Sequence, residues 1–147
     1  INLLKKYLFE KEEFFHYEFS LFNNFLTYFD DKFISLLLPT VECYLNTVST
    51  ISEYKIEKII FYNNLAFNYL DKNRNLSEFK KIFSELSLLI EDNFFDIPIL
   101  QYYKYEMLCS YVRGNISKEK FLLLSQMNKE ETKESIGRII NINFYSI

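Results

Sequence analysis

The sequence predicts an all-α fold in which antiparallel helix pairs form a tetratricopeptide-like right-handed solenoid. Three observations predict it. Apolar residues recur with helical period along almost the whole chain. The 147 residues include only 2 Gly and 2 Pro, too little punctuation for a β-sandwich or an α/β fold with many tight turns. A weak internal repeat recurs about every 40 residues, the period of a two-helix solenoid unit. Apolar residues make up 49% of the chain and aromatics 19%, which excludes disorder. The length suits a single domain over residues 1–147, burying roughly two-thirds of the surface its unfolded chain would expose.

The elements follow in order. Ile1 to Phe9 reads as the end of a helix. A second helix is expected from about Lys11 to Phe29. Asp30 or Asp31 caps a third that continues to about Ser49. Pro39 falls inside it and is expected to kink it or start a new helix, having no N–H to donate. A fourth helix spans about Glu53 to Asp71, and Lys72-Asn-Arg-Asn75 is a polar loop. Asn75 or Ser77 caps a fifth, to about Asp92. Asp96 caps a sixth with Pro98 in its first turn. That helix ends at Arg113-Gly-Asn115, where glycine supplies the left-handed position after the last turn. Ser117 opens a seventh, and Glu130 to about Tyr145 forms an eighth.

The repeat is carried by two alignments. Leu21-Phe-Asn-Asn-Phe-Leu recurs as Phe61-Tyr-Asn-Asn-Leu-Ala, 40 residues on. Leu65-Ala-Phe-Asn-Tyr-Leu aligns with Met107-Leu-Cys-Ser-Tyr-Val at a spacing of 42. The helices starting near Lys11, Glu53 and Ile97 are then equivalent and line one concave surface.

Composition also excludes functions. Lys and Arg number 17 against 20 Asp and Glu, a net charge of -3, so the chain lacks the basic balance that phosphate neutralisation favours. Cys43 and Cys109 lie 66 positions apart and read as free thiols of a reducing cytoplasm. No apolar run approaches the roughly 18 residues of a membrane span. His16 is the one histidine, and there is no HExxH, GxSxG, Walker A or GxGxxG motif. No enzyme activity, cofactor or metal is expected.

The candidate binding residues are asparagines and aromatics on equivalent helices. In the Lys11–Phe29 segment, one apolar stripe is Phe15, Phe19, Phe22, Leu26 and Phe29. A second is Phe14, Tyr17, Leu21, Phe25 and Tyr28, so burial on two sides is expected. Between them lie His16, Ser20, Asn23 and Thr27, with Asn24 alongside. A narrow, nearly uncharged stripe suits a groove that receives a peptide backbone, because a carboxamide both donates and accepts. Asn63 and Asn64 occupy the matching helix with Phe67, and Tyr102 and Glu106 the third. The competing reading is that these amides satisfy buried backbone and the tyrosines close the core.

The stretch Tyr17-Glu-Phe-Ser-Leu-Phe-Asn-Asn-Phe-Leu-Thr-Tyr-Phe-Asp30 resembles the "YE–LFNN–L–FF" segment of the Rgg/GadR/MutR family of bacterial transcription regulators. Phe33-Ile-Ser-Leu-Leu-Leu, Tyr62-Asn-Asn-Leu-Ala-Phe-Asn-Tyr-Leu and Tyr103 to Asn115 resemble later helices of that family. The resemblance covers roughly residues 10–127, and only the LFNN stretch is fairly specific. Met107 to Ser110 stand where the family helix often has glycine.

The resemblance implies a cytoplasmic regulatory half that dimerises and binds a short hydrophobic peptide pheromone in its groove. Asn23, Asn24, Asn63, Asn64, Phe67, Tyr102 and Glu106 are the expected contacts. It further implies that DNA is met only through a helix-turn-helix domain preceding Ile1, and that no membrane is involved. The apolar tail Ile136, Ile139, Ile140, Ile142, Phe144 and Tyr145 is the expected homodimer surface. The alternative reading is a stand-alone helical-repeat adaptor for a protein partner.

Overall fold

A computed structural model describes residues 1–70 and 75–115. Among the described residues all regular structure is helical, with no strand. Six helices occur in the order α1 (Asn2–Phe9), α2 (His16–Asn24), α3 (Asp31–Val48), α4 (Glu57–Asn68), α5 (Leu76–Asp92) and α6 (Ile99–Val112), and a 3₁₀ turn at Leu26–Tyr28 follows α2. The backbone divides into two compact units, Ile1–Phe83 and Ser84–Ile147. The expected helices from Ser117 and Glu130, and the apolar tail, lie outside the described residues.

In the first unit α2 begins at His16 rather than Lys11. Glu18 causes the difference: its Oε2 accepts from the Phe15 N–H at 3.1 Å, satisfying a donor the helix start leaves over. Residues 10–15 are therefore not helical. The helix closes at Asn24 and tightens into the 3₁₀ turn, where Tyr28 N–H donates to Phe25 O at 2.9 Å.

Neither expected apolar stripe is fully buried, but the first is enclosed from Phe19 onward. Phe19, Phe22, Leu26 and Phe29 are enclosed. Phe14 is also buried, but Tyr17, Phe25 and Tyr28 are exposed, and so is Phe15 just before the helix. The early end of α2 and its late start remove the continuous helix that would have carried both stripes.

Asp30 caps α3, its Oδ1 accepting from Phe33 N–H at 2.9 Å. Lys5 of α1 reaches the other carboxylate oxygen at 2.6 Å. α3 runs through Pro39 without starting a new helix, and Pro39 lies exposed. Its end is loosened by hydroxyls: Thr47 Oγ1 donates to Cys43 O and Ser49 Oγ to Asn46 O, both at 2.9 Å. Such bonds compete with the helix ladder. A run of turns follows (Ile51 N–H to Val48 O, Tyr54 to Ile51, Glu57 to Tyr54). α4 consequently starts at Glu57, not Glu53, and passes into a π-type turn at Tyr69 and Leu70.

The core of this unit is aromatic. Phe22, with no exposed surface, meets Phe14 edge-on at 6.2 Å, stacks on Phe29 at 5.5 Å and touches Phe61 at 6.1 Å. Phe19 stacks on Tyr44 at 5.0 Å and meets Phe61 at 5.8 Å. These rings join α2, α3 and α4. Full burial of each contributes about 1.5–3 kcal/mol, and edge-on and offset arrangements add a further increment.

Asn75 caps α5, its Oδ1 accepting from Glu78 N–H at 3.3 Å. In the second unit Pro98 itself is the residue that precedes α6, in extended conformation. Asp96, two residues earlier, donates its N–H to Asn93 O at 2.9 Å in a turn. The end of α6 follows expectation. Gly114 has φ +74°, its N–H donates to Tyr111 O at 3.0 Å, and Asn115 N–H donates to Ser110 O at 2.9 Å. This pair of bonds is the Schellman arrangement. Tyr105 of α6 donates to Ser87 Oγ of α5 at 3.1 Å, and Met107, Leu108 and Cys109 are buried.

Candidate functional site

Asn23 stands near the end of α2 and Asn64 in the middle of α4, one residue past the repeat partner of Asn23, and the fold brings the two into contact. Asn64 Nδ2 donates to Asn23 Oδ1 at 3.1 Å. Both side chains are half-buried, and neighbouring Asn24 is exposed. Asn63, the preceding residue of α4, turns inward and is sealed from solvent, with its contacts made inside the protein. Phe67 lies one turn beyond Asn63 and Asn64 and is half-buried. A partly solvated amide pair with an aromatic one turn away can hold an extended backbone, since each carboxamide offers both donors and acceptors.

Tyr102 and Glu106 belong to the second unit, one helical turn apart on α6, and both are half-buried. Burial first, then the Glu106 carboxylate beside it, pushes the Tyr102 hydroxyl above its ordinary pKa. Phe94 packs edge-on against the Tyr102 ring at 5.7 Å.

Two further polar clusters sit in the first unit. His16 Nδ1 lies 3.0 Å from Glu57 Oε1, and Tyr44 donates to Glu57 Oε2 at 2.8 Å. The Tyr54 ring covers the imidazole at 5.4 Å. These bonds link the start of α2 to α3 and the first turn of α4. Burial, and then the Glu57 carboxylate, raise the Tyr44 pKa far above its ordinary value. Ser20 Oγ is 3.5 Å from His16 Nε2, which completes the connectivity Ser–His–carboxylate.

That connectivity resembles a nucleophilic triad, but the geometry makes it a structural tie. The Ser–His distance is long for a hydrogen bond between such groups. Ser20 lies past the first turn of α2, where its own N–H belongs to the helix ladder and cannot serve as an oxyanion donor. His16 is 59% exposed, which leaves its imidazole in water rather than in an enclosed, low-dielectric site.

The second cluster surrounds Glu18, which is 7% exposed. Tyr7 of α1 donates to its Oε1 at 2.7 Å while the Phe15 N–H occupies Oε2. Burial opposes its charge, but the Tyr7 hydroxyl, the backbone N–H groups and Lys11 outweigh burial and hold its pKa below the usual carboxylate value. Neither cluster was legible as a site. Glu18 lacks the serine or threonine that marks a capping box three residues earlier, and His16, Tyr44 and Glu57 are joined only by tertiary packing.

Both cysteines are free, with Cys43 exposed and Cys109 buried; burial pushes the Cys109 thiol up. Among the described residues no group of three or more His, Cys, Asp or Glu side chains could hold a metal ion, and no helix is long and apolar enough to cross a membrane. No protein-family model, curated protein or solved structure matches the chain.

Proposed function

We propose that the chain is the ligand-sensing, dimerising regulatory part of a bacterial transcription regulator and binds a short hydrophobic peptide. The observation that carries this reading is the Asn64–Asn23 contact at 3.1 Å. It joins Asn23, in the LFNN stretch that resembles the Rgg/GadR/MutR family, to Asn64, the residue after its repeat partner Asn63. In this reading antiparallel helix pairs stack as a right-handed solenoid. Asn23, Asn24 and Asn64 bind peptide backbone, Phe67 receives a side chain, and Asn63 supports them from below. Tyr102 and Glu106 are the contacts proposed for the second unit.

The exposed rings of Tyr17, Phe25 and Tyr28 favour an apolar ligand over a charged one, and the formal charge of -3 disfavours direct contact with nucleic acid. DNA binding would then be the task of a helix-turn-helix domain, and the protein would act in the cytoplasm as a homodimer.

Native mass spectrometry with an equimolar pool of synthetic apolar heptapeptides tests the reading. Retention of a subset of the pool on a dimer is expected. A monomer that retains none contradicts it. A helical-repeat adaptor is the second reading, favoured if the coding sequence upstream of Ile1 contains no helix-turn-helix.

A further inference from the structure

Of the helices α1 to α4, α1 buries the fewest residues. Leu8 alone is enclosed, while Asn2, Leu3, Lys6 and Phe9 are exposed. An isolated helix of this length is not stable in water, so α1 persists through what holds it to the unit.

Two carboxylates hold it, and each is engaged twice. Glu18 accepts from the Tyr7 hydroxyl at 2.7 Å through Oε1 and from the Phe15 N–H at 3.1 Å through Oε2. Asp30 accepts from Lys5 Nζ at 2.6 Å through Oδ2 and from the Phe33 N–H at 2.9 Å through Oδ1. In each case one oxygen closes the start of a helix, α2 or α3, and the other grips α1. The two oxygens of a carboxylate move together, so grip and cap constrain each other. The Glu18 tie is the stronger. Glu18 is 7% exposed, whereas the Asp30 side chain is 61% exposed and water weakens its pair with Lys5. Lys11 Nζ lies 4.6 Å over the Tyr7 ring and supports the Glu18 side.

The link after α1 can bend. Glu10, Glu12 and Glu13 are exposed and non-helical. Phe14 is then 5% exposed and packs on Phe22 at 6.2 Å, which pins the chain to the core. A hinge therefore lies between Phe9 and Phe14, and Phe14 stays seated when α1 moves.

We propose that α1 is a strap that opens as a unit ahead of the rest of the first unit, and that Glu18 and Asp30 carry its opening to the starts of α2 and α3. Opening vacates the seat of Leu8 and leaves one oxygen of each carboxylate to water. The linkage is reciprocal. Whatever displaces α1 loosens the start of α2, and whatever orders α2 keeps α1 shut. Asn23, with its bond to Asn64, stands on that same α2. The strap is independent of the peptide reading.

Hydrogen exchange, followed amide by amide by NMR in the wild-type chain, Tyr7→Phe, Lys5→Gln and Lys6→Gln, tests it. In wild type the α1 amides should exchange together and faster than those of α4. Tyr7→Phe removes one hydroxyl and should speed α1 about tenfold. The Phe15 amide and the Phe19 amide, which donates to Phe15 O at 3.0 Å, should follow by a smaller factor, with α4 unchanged. Lys5→Gln should speed α1 and the Phe33 amide, by less than Tyr7→Phe does. Lys6 pairs only with Glu10 inside the same turn, at 3.9 Å, so Lys6→Gln should shift α1 by about twofold at most and leave Phe15 and Phe33 alone.

Slow α1 amides matching those of α4 would overturn the proposal, because α1 would then have no opening of its own. So would wild-type exchange in α1 of Tyr7→Phe, or equal acceleration of every helix, which would make Tyr7 a support of the whole unit. A faster α1 with unchanged Phe15 and Phe33 amides in the Tyr7 and Lys5 variants would also overturn it, since the caps would then not feel the strap.

Discussion

Asn64 donates its side-chain amide to the Asn23 carbonyl oxygen across 3.1 Å, joining α2 to α4 over 41 residues of sequence. The bond spends one donor of one amide and one acceptor of the other. A carboxamide both donates and accepts, and the contact fixes the orientation of both side chains.

The pair should be measurable as a coupling. Asn64→Ala and Asn23→Ala should each lower stability, and the double variant should cost less than the two together. A net hydrogen bond of this kind contributes about 0.5–1.5 kcal/mol, and the cycle isolates it. Urea unfolding of the four proteins reads the coupling directly. Strict additivity would mean that the contact contributes nothing.

Phe22 is the keystone of the aromatic core, enclosed by Phe14, Phe29 and Phe61. Phe22→Ala should cost about 3–5 kcal/mol. Phe25→Ala, at an exposed ring, should cost far less. Denaturant midpoints of the two variants check the contrast between the inward and outward stripes.

Glu18 makes stability depend on acid. Its folded pKa is depressed, so the unfolded chain binds its proton more readily. Its contribution is full above the unfolded carboxylate pKa of about 4.3 and is lost as pH falls through the lower, folded value. Glu18→Gln should melt below wild type at pH 7 and show a shallower decline on acidification. Melting curves from pH 7 to pH 3 test it, and parallel curves would remove Glu18 as the source.

Gly114 sits at φ +74° with nothing within 4 Å of where a Cβ would stand. Its replacement is therefore a test of backbone conformation alone. Gly114→Ala should destabilise the end of α6 by about 1–2 kcal/mol, read by hydrogen exchange of the Gly114 and Asn115 amides. Faster exchange there, with α2 unchanged, is the expected pattern.

What the sequence made legible was local. The Asp30 and Asn75 caps and the Gly114 turn each depend on one side chain or one φ angle beside its partner, and each stands where the sequence put it. The start of α2 was not legible. Lys11 to Phe15 continue an apolar helical pattern, and only the bond from Glu18 to the Phe15 N–H moves the start to His16. The four-residue delay before α4 has a similar origin, in the hydroxyls of Thr47 and Ser49 that draw α3 to a close.

The repeat pairs Asn23 with Asn63, whereas the fold joins Asn23 to Asn64, one residue further on. The tie of His16, Tyr44 and Glu57 left no such trace. Those residues come from three helices with no shared period, and their contact follows from how Phe19 packs on Tyr44 and Phe61.

The most direct test of the central claim is a calorimetric titration of the apolar heptapeptides retained by the wild-type chain into wild type, Asn23→Ala and Asn64→Ala, with a thermal melt of each protein. If the two amides bind peptide backbone, each variant should bind about two- to twelvefold more weakly, the loss of one hydrogen bond. If both variants bind as wild type does and melt markedly lower, the pair serves the fold alone and the account is contradicted.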